Sequence, residues 1–232
     1  MKDERETKEK LLQSARAEFL AKGYQGASLR SICKASGVTT GALYFFFKDK
    51  DDLFTSLVAP QLNTLKAMLT EHMRQELLVL DSGEDAAEND FRDDAYASQQ
   101  VLHLLYQNYD LFLLLLTGSY GSSLEHFVDE LVAISEEHYR KLADRQAALL
   151  GVTPPQDYTI HWLAHMQIDA FVHLLTHEPD EQKALAHLQD ILQYMLSGWN
   201  GLFQPPRQPR PLNPPLFPWR ICCVMVFISP FT

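Results

Sequence analysis

Five residues, His161, His165, Asp169, His173 and His177, follow one another at steps of four. On a helix that spacing makes each the neighbour of the next. Two imidazoles at i,i+4 can chelate Zn2+, but such a site wants a third or fourth ligand, and no Glu follows His161 in the order of the metal hydrolases. Each step also drifts about 40° around the helix, so the whole row wraps the surface. The row therefore suits hydrogen bonding in a pocket or a subunit seam, or a solvated face, better than a metal. No Walker loop, dinucleotide fingerprint, nucleophile elbow or paired-carboxylate arrangement is present. The expectation is a protein that is not an enzyme and that carries no metal or cofactor. A metal-dependent enzyme using His161 and His165 is the residual alternative.

A second set of residues suits a different chemistry. Cys33, Gly37 and Leu43 have the spacing of a helix-turn-helix: a small residue where two helices cross, a glycine at the tight turn, and an apolar residue that seats the second helix. The second helix can then project its first side chains into a major groove about 12 Å wide. Spacing of this kind occurs in many helical hairpins.

The elements that would position these residues are helical. The chain has 232 residues, 46% hydrophobic and 22% charged, the composition of a globular protein. Leu12, Ala15 and Phe19 recur at helical spacing from Thr7 to Lys22, and Gly23 stands where that helix should end. Ser28 caps a short second helix, and a third begins at Thr39 or Thr40. Asp49 caps a fourth that runs from Lys50 towards Leu80, with any bend at Pro60. Residues 81–94 carry seven acidic residues against one Arg and are expected to be a solvated loop. Helical patterns follow over Tyr96–Leu116, Ser123–Leu150, Gln156–Thr176 and Pro179–Phe203. Six prolines between Pro205 and Pro215 forbid a helix, so 204–232 is expected to be a Pro-rich, poorly ordered tail.

Charge is distributed unevenly. Residues 1–50 hold ten Lys/Arg against six Asp/Glu, so this head carries +4, and with −10 on the whole chain the rest carries −14. A basic head on an acidic body suggests one face for nucleic acid. Cys33, Cys222 and Cys223 form neither a metal spacing nor a disulfide framework. The charged N-terminus lacks the apolar core of a signal peptide, and the apolar run Ile221–Ile228 falls short of the ~20 residues that span a bilayer. A soluble, cytoplasmic protein is expected, without a membrane partner.

The string from Gly23 to Phe54, GYQGASLRSICKASGVTTGALYFFFKDKDDLF, closely resembles the signature of the TetR/AcrR family of transcriptional regulators. Gly23-Tyr24, Ser28, Gly37-Val38, Gly41-Ala42-Leu43-Tyr44 and Phe47-Lys48-Asp49-Lys50 carry the likeness, which covers in detail about the first 55 residues. Two departures stand out: Thr40 where the family often has Lys, and Phe45-Phe46 where it often has Tyr or His after the Leu-Tyr pair.

The resemblance implies an all-α chain: a helix-turn-helix domain over residues 1–50, a helical effector-binding and dimerisation domain over 51–203, and the tail. It implies phosphate contacts from Ser28, Thr39, Tyr44 and Lys50, with Lys48 beside them, and base-edge contacts from Thr39, Thr40, Gly41 and Phe45. Hydroxyls and ammonium groups suit phosphate oxygens, and Phe45 could pack on a thymine methyl. Three consecutive Phe cannot all be buried on one helix face, so Phe47 is given to the core and Phe45 to the groove. In the body, Phe112, Tyr120, Phe127, Trp162, His165, Met166 and Asp169 are candidate ligand contacts. Leu163, Ala170, Leu174, Leu188, Leu192, Met195 and Trp199 are candidate dimer contacts, because their apolar arcs are broader than one buried side requires. The implied function is a ligand-responsive repressor that binds a palindromic operator as a homodimer and is released by a small, largely apolar effector. An architectural or protein-interaction DNA-binding module without an effector is the alternative.

Overall fold

The computed structural model describes residues 2–82 and 86–204, with side chains over 4–81 and 94–204. Among the described residues the chain forms nine α-helices and no strand: α1 (Lys2–Gly26), α2 (Leu29–Ser36), α3 (Thr40–Phe46), α4 (Lys50–Ser82), α5 (Ala86–Gln107), α6 (Tyr109–Gly118), α7 (Phe127–Leu150), α8 (Asp157–His177) and α9 (Glu181–Leu202). The expected all-α class, with an N-terminal helix-turn-helix and a larger helical body, is the observed one. The tail beyond Gln204 lies outside the described residues.

α1 begins earlier than its apolar stripe because its first turns are laced by i,i+4 ion pairs, Arg5 with Glu9 and Lys10 with Glu6. Leu11, Ala15 and Phe19 then bury completely. Gly23 takes a left-handed φ of 66° and kinks the helix, a conformation open to glycine at little cost. α2 is short and strongly two-faced, with Ile32 and Cys33 inward, and Gly37 ends it in the αL conformation. Thr39 caps α3, its hydroxyl oxygen accepting the Ala42 N–H at 3.2 Å. Asp49 does the same for α4, accepting the Asp52 N–H at 2.8 Å. Pro60 sits inside α4 without ending it.

Three sequence expectations change. The described part of the acidic stretch 81–94 is helical rather than loop: α4 continues through Ser82 and α5 starts at Ala86, while 83–85 lies outside the described residues. Acidic residues solvate a helix face as readily as a loop, and the only strong breaker in the stretch is Gly83. The helix expected over Tyr96–Leu116 is two helices, interrupted at Asn108, whose side-chain amide donates to the Leu104 carbonyl at 3.0 Å. α7 begins at Phe127 rather than Ser123, because Ser119 and Ser122 turn the chain by donating their hydroxyls to the Leu115 and Ser119 carbonyls.

α1 packs on α2, α4 and α6, while α5 packs on α4 and α9, and α7 on α4 and α8. One continuous apolar core runs from Leu11, Phe19 and Leu43 in the head through Phe54 and Val58 to Leu111, Phe112 and Leu175 in the body. Head and body are thus joined through packed side chains as well as through the α4 backbone.

Candidate nucleic-acid interface and ligand cavity

The short helix α3 is held by Leu43 and by Phe47 just beyond its end, both fully buried. With that side fixed, Thr39, Thr40, Gly41, Tyr44, Phe45 and Lys48 are all exposed. Tyr44 is 55% and Phe45 72% accessible, and the Phe45 ring leans edge-on against the half-buried Phe46. Within the triplet Phe45 is exposed, Phe46 half-buried and Phe47 buried. Gly41 has no atom within 4 Å of where a Cβ would stand, so backbone can approach closely there. The Thr39 oxygen is occupied by its cap, but its O–H remains a donor. Ser28 sits at the N-cap of α2, half-buried; its side chain makes no capping bond, and its backbone N–H donates to Glu18 at 3.1 Å. Lys22, then the Ser28 N–H, hold the Glu18 carboxyl below the usual carboxylate range. Arg30 and Lys34, one turn apart on α2, are exposed cations that the family motif did not single out; their i,i+4 spacing was the available signal.

Lys50 is placed differently from the expectation. Its ammonium points back into the head, donating to the carbonyls of Tyr24 at 2.9 Å, Gln25 at 3.3 Å and Ala27 at 3.4 Å. It also lies 4.4 Å from the centre of the Tyr24 ring. The three donors of a lysine are thereby directed at carbonyls left over where α1 ends. Lys50 ties α4 to α1, and the exposed cation of the pair is Lys48.

The body contains a cavity of about 1290 Å3 between α4, α5, α6, α7, α8 and α9. Of the candidate ligand contacts, Phe112, Phe127 and Met166 line it. Tyr120, Trp162, His165 and Asp169 do not: Tyr120 is exposed on the α6–α7 turn, and Trp162 and Asp169 face solvent from α8. An aromatic residue on a helix could be assigned to either face from its type alone. The polar groups of the wall were not legible as a set. They include Ser135, which donates to Gln167 at 2.5 Å, and His138, 2.7 Å from Glu76. Tyr139 also lies on the wall, and burial, followed by the negative Glu76 and Asp94, pushes its phenol up. At the edge of the body, the Tyr106 hydroxyl reaches the carbonyls of Leu174 and Glu178, and burial above all pushes it up to about 12.

The single chain places the candidate dimer contacts as follows. Leu163, Leu174, Leu188 and Leu192 are buried, Leu188 completely, and Leu188 and Leu192 pack with Leu102 and Leu174. Leu163, Leu188, Leu192, Met195 and Trp199 face the cavity, and Trp199 donates to Gln146 at 2.7 Å. Ala170 is half-buried. The apolar residues that α8 and α9 show to solvent are Tyr158, Trp162, Tyr194 and Leu202. On the histidine row, the rings of His161 and His165 lie 4.6 Å apart and those of His173 and His177 4.1 Å. His161 meets Glu136 at 2.8 Å, and among the described residues no third ligand gathers on this row.

Residues 11–57 match the pattern described as "Bacterial regulatory proteins, tetR family". The chain is 46% identical over 52 residues to the HTH-type transcriptional regulator AcrR of Shigella flexneri, covering 22% of this chain and 24% of that protein. It is 33% identical over 67 residues to the probable acrEF/envCD operon repressor of Escherichia coli K12, covering 29% and 30%. These alignments span about a quarter to a third of the curated relatives. Over the whole fold, the chain is similar to a TetR-family regulator from Syntrophomonas wolfei, with TM-score 0.56, 18% identity and coverage of 84% and 96%. It is also similar to NalD of Pseudomonas aeruginosa, the secondary repressor of the MexAB-OprM efflux pump, with TM-score 0.55, 21% identity and coverage of 84% and 96%. At such identities the likeness speaks for the fold. Residues 11–57 thus carry the signature of the tetR family of bacterial regulatory proteins, and the described residues share the helical fold of solved TetR-family regulators.

Proposed function

We propose that this protein is a DNA-binding transcriptional repressor that grips a palindromic operator as a homodimer in the cytoplasm and lets go when a small, largely apolar effector fills the body cavity. One observation carries the coupling: α6 lines the cavity with Phe112 and Leu116, and its last residue, Gly118, lies against Gly23 of the head. A second link crosses beside it, where the Ser123 N–H donates to Asp51 at the start of α4 at 2.8 Å. An effector that fits better when α6 and α4 are displaced shifts the population towards heads whose spacing no longer suits the two half-sites.

In this reading Tyr44, Lys48 and the Thr39 hydroxyl hold phosphates, with Ser28 at the start of α2. Thr40, Gly41 and Phe45 meet base edges, and Lys50 positions the motif without touching DNA. The domain division near residue 50 is functional rather than physical, since one core spans it. Dimerisation uses the outer faces of α8 and α9 around Trp162 and Tyr194. Fluorescence anisotropy with DNA from the protein's own upstream region, repeated after a thermal-shift screen for effectors, tests the reading. Two-fold symmetric binding that is weakened by a stabilising ligand is expected. Unspecific binding that no stabilising ligand changes would overturn it.

A further inference from the structure

The cavity wall contains a cluster that the repressor reading does not use. His72 and Glu76 sit one turn apart on α4, and Asp94 reaches them from α5. His72 Nε2 is 3.5 Å from Glu76 Oε2 and 3.4 Å from Asp94 Oδ1, and the three donor atoms all lie within 4.8 Å of one another. A tetrahedral ion with bonds of about 2.0–2.2 Å to nitrogen and oxygen sets its ligands roughly 3.3–3.6 Å apart. Both measured edges from His72 have that length. All three side chains are largely buried, 28%, 25% and 17% exposed, and all three line the cavity, to which no Lys or Arg contributes among the described residues.

We propose that His72, Glu76 and Asp94 form a binding site for one divalent transition-metal ion in the cavity wall, with His138 orienting Glu76. The ligand types decide the class. One imidazole and two carboxylates, with no thiolate, suit Zn2+ and its borderline neighbours rather than a soft ion. The two carboxylate charges balance the ion, which removes the cost of holding them close together in a poorly solvated wall. His72 coordinates through Nε2, so its proton sits on Nδ1. The more deeply buried His138 lies with Nε2 2.7 Å from Glu76 Oε2; it donates its proton there and fixes the carboxylate, as partners behind a ligand do. Three protein ligands leave a fourth position open at the cavity wall for water or an oxygen of whatever occupies the cavity. The site is distinct from the surface row at His161–His177 and does not depend on DNA binding.

Titration of the EDTA-stripped full chain with Zn2+ by calorimetry, and with Co2+ by visible absorption, tests the proposal. One ion per chain is expected, with Co2+ bands of low-coordinate geometry. His72→Gln and Asp94→Asn should each weaken Zn2+ binding at least tenfold, and His138→Gln should weaken it roughly ten- to hundred-fold as a partner behind the ligands. A His161→Ala/His165→Ala double variant should bind as the parent does. Helical circular dichroism identifies any variant that fails to fold, and the wild-type stoichiometry decides independently of the variants. Absence of stoichiometric Zn2+ binding by the parent, unchanged affinity in folded His72→Gln and Asp94→Asn, or loss of the ion in the His161/His165 double variant would overturn it.

Discussion

Gly23 in α1 and Gly118 in α6 pack backbone against backbone: a Cβ on Gly23 would stand 3.3 Å from the Gly118 carbonyl oxygen, and one on Gly118 would stand 3.4 Å from the Gly23 Cα. Gly23 also holds φ at 66°, so conformation and contact both call for glycine there. Gly23→Ala should destabilise the protein by about 1–2 kcal/mol, because the left-handed backbone strains any residue with a Cβ. Chemical denaturation measures this, and an unchanged midpoint would show that the kink relaxes.

Phe45 and Lys48 should separate specificity from affinity. Lys48→Ala is expected to weaken binding to all DNA alike and to reduce the slope of log K against log salt by about 0.9. Phe45→Ala should leave that slope intact and cost on the order of 1 kcal/mol or more at one mirrored base position per half-site. A randomised operator decides between them: uniform loss in the Phe45 variant would make its role structural.

Lys50 should behave unlike Lys48. Lys50→Ala removes an ammonium that serves three carbonyls at the end of α1, so it should lower stability by about 1–3 kcal/mol while leaving the salt slope for DNA unchanged. A lowered slope with parental stability would return Lys50 to the phosphates.

On the outer face of α8 and α9, Trp162 is 52% and Tyr194 67% exposed. Trp162→Glu with Tyr194→Glu should yield a folded monomer by sedimentation and weaken operator binding with it. Leu188→Glu should instead unfold the body, since Leu188 is completely buried and a buried unpaired charge is costly. A folded, dimeric Trp162/Tyr194 variant places the interface elsewhere.

Glu18 gives the head a pH dependence of defined sign. Lys22 and the Ser28 N–H lower its pKa in the folded state, so its contribution is present above the ordinary carboxylate value and lost as pH falls through the lower folded value. Glu18→Gln should lower the melting temperature near neutrality and flatten its decline in acid. Melts across pH 2–7 measure the difference, and parallel curves would show that Glu18 adds nothing.

The amino-acid sequence by itself determined the local elements and the identity of the head. Helical spacing in α1, the αL glycine at 37, the caps at Thr39 and Asp49, and the signature from Gly23 to Phe54 are all set by neighbours within a few residues. Short-range order of that kind can be read without knowing the fold. It also separated Phe45 from Phe47, because a helix cannot bury consecutive side chains on one face. Only the tertiary structure decided which apolar side chains of α8 and α9 face their own chain. Leu188 and Trp162 are both apolar residues on amphipathic helices, and burial depends on which helix packs where. It decided the direction of Lys50, whose partners lie more than twenty residues earlier and are backbone carbonyls without a sequence signature. It also decided the meeting of His72 and Glu76 with Asp94, since Asp94 comes from a stretch whose acidity resembled that of a loop. Spacing within a helix is a property of the chain, whereas proximity between helices is created by packing.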